Sequence, residues 1–378
     1  MRVALLTLYP VGDSGIQGGV RAVTFNLVSG LKSYPELDIH VVHCHSDVPV
    51  DRVLRDGNVT VHYLAQPRRH IVPNLMRAVG QVRRKLREIR PDVVNSHLSQ
   101  YTVAAMGRYP MVWTIHGIAF REAEIYNRRL SDRMRHMLIK HNVRRGLRGA
   151  SDIIAISPYV IEEYGSMTGA RWHRVDNPIP EAFFELPDRE HPRRILFAGS
   201  VDERKNAFDL LRALARVRRR FPKVELHIAG RESNPSYGRL LRDYVSEQGM
   251  GGNVVFRGLL THRQMLEAYS ECAIMALTSR QETQPMAVIE AMAAGRPVVA
   301  TRVGGVADLI DDGRTGHVVE LSDIETLAER IESLLGDAEL RRRMGVAARD
   351  AASGRFRIAT VAARYLSIYR EMLQVPAS

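Results

Sequence analysis

The chain has 378 residues, 45% hydrophobic and 25% charged, a balance that suits a soluble globular protein and a length that exceeds one ordinary core. No run is long and apolar enough for a membrane span, and two distant cysteines, Cys44 and Cys272, exclude a disulfide framework and a cysteine-based metal site. The formal charge of +12 is concentrated early: residues 1–180 carry 25 Lys+Arg against 15 Asp+Glu, and the remainder carries 29 against 27.

In chain order, residues 2–8 form an apolar run stopped by Pro10. It is too short for a signal peptide and fits a buried first strand, so the expected location is cytoplasmic. A loop over 10–19 holds four glycines, the last two being Gly18 and Gly19, and a helix is expected from about Val20 to Leu31. Apolar runs at 39–43, 59–64, 93–97, 111–115 and 153–157 read as short buried strands. Basic segments of helical period lie between several of them. Such alternation predicts a parallel sheet covered on both faces.

The pattern breaks at Asp176-Asn177-Pro178-Ile179-Pro180 and over the polar stretch 186–193, then restarts. Strands are expected at 194–200, 224–229, 254–256, 273–277, 298–301 and 317–319, with a helix over 207–220 and one or two more over 358–373. Two strand–loop–helix openings, each starting a sheet, predict a two-domain α/β protein with a cleft between halves. The boundaries are set at 1–183 and 184–357, with the tail from about 358 to 378 assigned to the first domain.

The most informative stretch runs from Ser279 to Thr301. A strand ends near Ser279, Pro285 suits the first turn of a helix, and Gly295 followed by Pro297 ends that helix before the next strand. Free N–H groups near Pro285, Met286 and Ala287, together with the helix dipole, favour an anion such as a diphosphate. Glu282 precedes the helix and Glu290 lies in its second turn, both at the sheet edge where open α/β sheets bind ligands. A carboxylate there can accept two hydrogen bonds from a ribose diol. Taken alone, Glu290 also reads as a surface or helix-stabilising glutamate, and two glutamates at this spacing are common by chance.

The spacing Glu282-x7-Glu290, continued by Ala-Met-Ala-Ala-Gly-Arg-Pro-Val-Val-Ala-Thr, Gly304-Gly305 and the loop Asp308 to Gly316, closely resembles the retaining glycosyltransferase family 4 (glycosyl transferases group 1). The likeness extends to Asn253-Val254-Val255-Phe256-Arg257-Gly258 and Tyr269-Ser270-Glu271-Cys272-Ala273. It is strong over the second half and limited to pattern and spot motifs in the first. It implies the GT-B fold: two Rossmann-like domains facing a central cleft, with the C-terminal helix returning to the first domain. It also implies a hexosyltransferase that takes its sugar from a nucleotide-diphosphate donor with retention at the anomeric carbon.

By position, Glu290 resembles the family's ribose-binding glutamate and Glu282 the one that contacts the donor sugar. The backbone of Gln284, Pro285, Met286 and Ala287 would lie against the sugar and diphosphate. Gln284-Pro285-Met286 stands where Phe-Gly is frequent, which leaves donor-sugar selectivity open. Lys205, one of five lysines against 49 arginines, resembles the lysine that neutralises the donor phosphates. Ser200 occupies the place of a frequent family arginine, and Arg204 is the candidate replacement. Gly18-Gly19 resembles the glycine loop that approaches the phosphates and reaction centre. His116, in Trp113-Thr114-Ile115-His116-Gly117, matches a motif that lines the sugar site; His97 is a weaker candidate. His43-Cys44-His45 is discarded as a metal site for want of a third ligand.

No Asp-x-Asp motif occurs, so neither a metal nor another cofactor is required by this reading. The acceptor is a glycan, a lipid-linked molecule or a small molecule, as in polysaccharide biosynthesis. Basic segments at 83–90 and 128–148 fit an anionic membrane surface and fit merely solvated helices equally well. A nucleotide-sugar epimerase is the alternative on the same fold. From another class, a basic nucleic-acid-binding protein is disfavoured by 6% aromatics and no recognition motif, so no nucleic-acid partner is expected. The oligomeric state is left open.

Overall fold

The computed structural model describes residues 1–11, 18–66, 71–126 and 130–374. Most of the four-glycine loop (12–17), the basic pair Arg128-Arg129 and the last four residues therefore lie outside the described residues. Two compact units result: Met1–Pro178 with Ile358–Ser378, and Ile179–Arg357.

The first unit runs β1 (Arg2–Leu6), α1 (Gly19–Leu31), β2 (Asp38–His45), β3 (Arg52–Asp56), β4 (Val59–Ala65), α2 (Ile71–Ile89), β5 (Val93–Ser96), α3 (Ser99–Ala105), β6 (Met111–Ile115), α4 (Ala119–Tyr126), α5 (Leu130–Gly149), β7 (Asp152–Ala155), α6 (Pro158–Tyr164) and β8 (Arg171–Arg174). Its sheet has the order β3-β4-β2-β1-β5-β6-β7-β8, parallel except for β3 against β4. Strands β5 and β6, and β1 beyond Arg2, are buried along their whole length because helices cover both faces. Ala4 and Leu6 face one core with Val82 and Leu147; Val3 and Leu5 face the other with Leu27 and Tyr365.

The second unit runs β9 (His191–Ala198), α7 (Ala207–Arg220), β10 (Glu225–Ala229), α8 (Pro235–Glu247), β11 (Val254–Gly258), α9 (His262–Glu271), β12 (Cys272–Leu277), α10 (Met286–Ala293), β13 (Val298–Thr301), β14 (Gly316–Val319), α11 (Ile324–Gly336) and α12 (Ala338–Arg355). Its six strands are all parallel, in the order β11-β10-β9-β12-β13-β14. The strand order reverses between β9 and β12, so the loops after those strands flank the switch point where such sheets bind ligands.

The tail forms one helix, α13 (Ile358–Gln374), which packs on α1 of the first unit. The contact requires Gly30: a Cβ there would lie 2.7 Å from both Ala362 Cβ and Ile358 Cγ2. Buried Tyr369 and Tyr365 then reach the sheet, Asn95 Nδ2 donating to the Tyr369 hydroxyl at 2.7 Å.

Two strands carry no apolar run and were not expected. All five residues of β3 are exposed, and β8 is an edge of sequence Arg-Trp-His-Arg. The first strand ends at Leu6, two residues short of the apolar run.

Candidate functional site

In the second unit the loop after β9 (199–206) and the loop after β12 (278–285) leave neighbouring strands and are stitched together. Arg280 N–H donates to Arg204 O at 2.8 Å, and Thr278 Oγ1 donates to Asn206 O at 2.8 Å. Asp202 shapes the first loop, its Oδ1 accepting the N–H groups of Arg204 (3.1 Å) and Lys205 (3.0 Å). The Ser200 hydroxyl donates to Asp202 Oδ2 at 2.6 Å, so it serves the loop itself.

These loops converge on Glu282, which is 6% exposed. Lys205 Nζ donates to its Oε1 at 2.5 Å, Ser279 Oγ donates to the same oxygen at 2.6 Å, and Arg204 Nη1 lies 3.5 Å from Oε2. Burial works to raise this carboxyl's pKa, but Lys205, Arg204 and Ser279 outweigh it and hold Glu282 below its ordinary value. A buried carboxylate thus occupies the two cations that an incoming anion would need.

Directly after comes α10. Pro285 is its N-cap, with φ −68° and ψ 118°, one position earlier than the first-turn placement the sequence suggests, and no side chain caps the helix. The N–H groups of Met286 and Ala287 therefore belong to the uncapped first turn, where an anion is favoured. The far end closes as a Schellman motif: Gly295 at φ +69° donates to Met292 O, and Arg296 donates to Ala291 O. Gln284, also buried, joins the Glu282 loop to the helix.

Glu290 lies one turn into α10 and accepts a hydrogen bond at Oε2 from the Tyr269 hydroxyl at 2.9 Å. Burial pushes its pKa up to about 7, against the lowering pull of Tyr269 and Lys205. Arg204, Lys205 and Glu282 are thus one ion-paired cluster, and Glu290 is held separately on the adjoining helix. Tyr269 and Ser279 carry interactions that local sequence reading assigned to nobody. Both lie within motif-bearing stretches, but the contacts join residues that only the fold brings together.

In the first unit, Gly18 is the N-cap of α1 at φ +91°, and Gly19 is its first residue; both are exposed. His116 follows β6, and its Nε2 lies 2.7 Å from Nδ1 of His97, which follows β5. The rings stack at 5.0 Å. Burial pushes His116 down to about 4, and burial followed by the neighbouring His116 holds His97 well below its ordinary value. The pair is therefore neutral at physiological pH, with one ring donating and the other accepting. His97 Nε2 is buried and has no partner among the described residues.

His43 and His45 do have a third group nearby, since Asp47 brings possible ligand atoms of all three within 4.8 Å. This corrects the sequence-based reason for discarding them. The hydrogen bonds still describe a protein network. Tyr9 N–H donates to His43 Nδ1 at 3.0 Å, which puts the ring proton on Nε2, 2.9 Å from Asp47 Oδ1. Asp47 is also paired with Arg21.

Comparison with known proteins gives consistent results. A model described as glycosyl transferases group 1 matches residues 178–351, and one described as glycosyltransferase family 4 matches residues 17–183. The chain is 28% identical to the D-inositol 3-phosphate glycosyltransferase of Pseudarthrobacter chlorophenolicus, over 92% of this chain and 90% of that one. It is 29% identical to a glycogen synthase of Mycobacterium tuberculosis, over 75% of this chain and 69% of the other. Among solved structures, sucrose-phosphate synthase from Thermosynechococcus elongatus is similar with a TM-score of 0.81 at 18% identity, over 98% of both chains. Anabaena Alr3699/HepE in complex with UDP-glucose is similar with a TM-score of 0.73 at 19% identity, over 98% of this chain and 100% of that one. Sucrose-phosphate synthase is a GT-B protein, and this chain shares that architecture.

Proposed function

The chain belongs to the family 4 glycosyltransferases of group 1, and we propose that its donor is a nucleoside-diphosphate sugar held by the second unit. The observation that carries this reading is the cluster of Lys205 and Arg204 around the buried Glu282 carboxylate, beside the uncapped start of α10, with Glu290 one turn along the same helix. Lys205, Arg204 and the N–H groups of Met286 and Ala287 would take the diphosphate. Glu290 would take the ribose diol, and Glu282 a hydroxyl of the sugar once the phosphates compete for its cations. That the HepE protein was obtained with UDP-glucose supports this donor class for a chain of the same fold.

In this reading a hexosyl group passes to a hydroxyl of a glycan, lipid-linked or small-molecule acceptor with retention. The bond from the anomeric carbon to the diphosphate oxygen breaks, and a bond to the acceptor oxygen forms on the same face. The acceptor's proton goes to the departing phosphate. Fixed cations and helix dipoles stabilise the charge that develops on that phosphate, so the reading calls for no metal. Within the first unit, Gly18, Gly19 and neutral His116 are polar groups without charge, a chemistry that would suit sugar hydroxyls. A thermal-shift panel of UDP, GDP, ADP and their common sugar conjugates tests the assignment. One nucleotide should stabilise the wild type and not Glu290→Ala. A folded protein that responds to none of them would sink the proposed donor site.

The surface of the first unit favours a second element. Helices α2 and α5 both pack on α3. Together α2 and α5 carry 11 Arg and Lys residues against Glu88 and Asp132. Arg83 reaches across to Val103 O on α3, and its pKa is lowered by burial and then by Arg108 and Arg145. Among the described residues no helix is long and apolar enough to cross a membrane. We therefore propose peripheral contact of this surface with anionic lipid. Sedimentation with anionic liposomes should show binding that salt reverses, and its absence would remove the idea.

A further inference from the structure

Helix α10 is clamped at its C-terminal end and in its middle. Arg349 donates to Ala293 O (3.1 Å) and Ala294 O (3.0 Å) at its C-terminus. Beyond the cap, buried Arg296 donates to Tyr269 O (2.9 Å) and Ser270 O (2.7 Å), tying the end of α9 to the end of α10. In the middle, the Tyr269 hydroxyl lies 3.1 Å from Ala287 O and 2.9 Å from Glu290 Oε2, one turn apart on one face. Tyr269 is fully buried, and Phe183 packs edge-on against its ring at 5.5 Å. In so dense a setting the hydroxyl has one place to be.

We propose that Tyr269 is the positioning residue for Glu290, holding one carboxylate oxygen so that the other faces the ribose diol of the donor. The inference rests on the ribose-binding reading of Glu290. Among the described residues Glu290 Oε1 accepts no hydrogen bond, which leaves that oxygen for the ligand.

The phenol has one proton and two acceptors in reach. While Glu290 is ionised, that proton points to the carboxylate, and Ala287 O keeps only its bond within the helix. When Glu290 is protonated, the acid donates to the phenol oxygen and the phenol donates to Ala287 O. In both protonation states the Tyr269–Glu290 contact keeps its hydrogen bond in one geometry, so neither drives the side chain out of place. With burial pushing Glu290 up to about 7, both states are populated near neutral pH. The other charged groups around α10 are engaged elsewhere: Arg349 with the last carbonyls, Arg355 with Asp308, and Glu181 with Arg357. Cys272 of β12 is buried, and burial pushes its thiol up to about 12, so it stays neutral. Tyr269 from α9 and Lys205 from the loop after β9 are the groups that set the ionisation of Glu290.

Calorimetric titration of UDP, GDP and ADP across neutral and alkaline pH tests this in the full chain. Tyr269→Phe should weaken binding of the responding nucleotide about tenfold at neutral pH, the scale of one hydrogen bond to a charged group. It should also move the midpoint of the pH profile upward, so that the deficit narrows toward alkaline pH to the part left by lost positioning. A deficit that is absent, or a midpoint that does not move, overturns the proposal. Should Tyr269→Phe fail to fold, 3-fluorotyrosine at position 269, a stronger donor, should move the midpoint down, and an unmoved midpoint overturns it equally. Glu290→Gln separates the two readings. If it binds nucleotide like the wild type, the ribose assignment falls; if it loses binding while Tyr269→Phe keeps the wild-type midpoint, only the role of Tyr269 falls.

Discussion

Glu282 and Glu290 are the same residue type in one strand–loop–helix segment, and the protein holds them in opposite electrostatic states. The loop glutamate touches an ammonium, a guanidinium and a hydroxyl, and its carboxyl is held below the ordinary range. The helix glutamate meets one phenol and lies farther from Lys205, and burial pushes it up to about 7. Desolvation raises both carboxyls, so the cations decide. In the proposed donor site, the first is suited to trading charge partners with a diphosphate. The second is suited to accepting hydrogen bonds from a diol near the pH at which it gains or loses its own proton.

The largest expected effect comes from erasing that difference. Lys205→Met leaves Glu282 buried with Arg204 at 3.5 Å as its remaining cation. Breaking a buried pair from one side costs about 3 kcal/mol, a fall of roughly 6–12 °C in the thermal midpoint of a unit this size. The pH dependence should change sign as well. In the wild type, the depressed Glu282 contributes stability that is present above its unfolded pKa and lost as pH falls through its lower folded pKa. In Lys205→Met the folded pKa moves above the unfolded one, so the second unit should lose stability as pH rises between them. Adding Glu282→Gln should restore most of the midpoint. Transferase turnover should fall about 10²–10³-fold in both variants if Lys205 is, as proposed, the cation that faces the departing phosphate. A Lys205→Met protein with wild-type stability and an unchanged pH slope would break the comparison.

Much of this segment was legible in the sequence for local reasons. Gly295 supplies the positive φ of a Schellman close, Pro285 sets the φ of the helix entry, and the buried run 298–301 coincides with β13. Local signals mark Lys205, Glu282 and Glu290 as candidates but carry no information about their partners. That Lys205 reaches Glu282 across 77 positions, or that Tyr269 reaches Glu290 across 21, depends on β9 and β12 being neighbours and on α9 packing beside them. The same limit hid the contact between His97 and His116, which follow adjacent strands. Edge strands were illegible for another reason. β3 buries neither face, so no hydrophobic pattern marks it, and it pairs with β4 through a backbone ladder and Arg52 lying over the Tyr63 ring.

A smaller effect sharpens the same comparison by separating the hydroxyl from the cations. Ser279 is fully buried and its Oγ donates to Glu282 Oε1 at 2.6 Å, so Ser279→Ala removes one hydrogen bond to a charge and leaves both ion pairs. The expected cost at neutral pH is about 1.5 kcal/mol. It should shrink as pH falls and Glu282 takes up a proton, because the carboxylate whose charge strengthened the bond is then gone. Ser157 is the matched control: it is equally buried, but its Oγ has no partner among the described residues. Replacing it with alanine removes an unsatisfied polar group, so Ser157→Ala should be neutral or slightly stabilising at every pH. Urea denaturation of the two variants at neutral and acid pH makes the measurement. Equal costs for the two serines would mean that Ser279 fills space without supporting the Glu282 carboxylate, leaving Lys205 and Arg204 to do so alone.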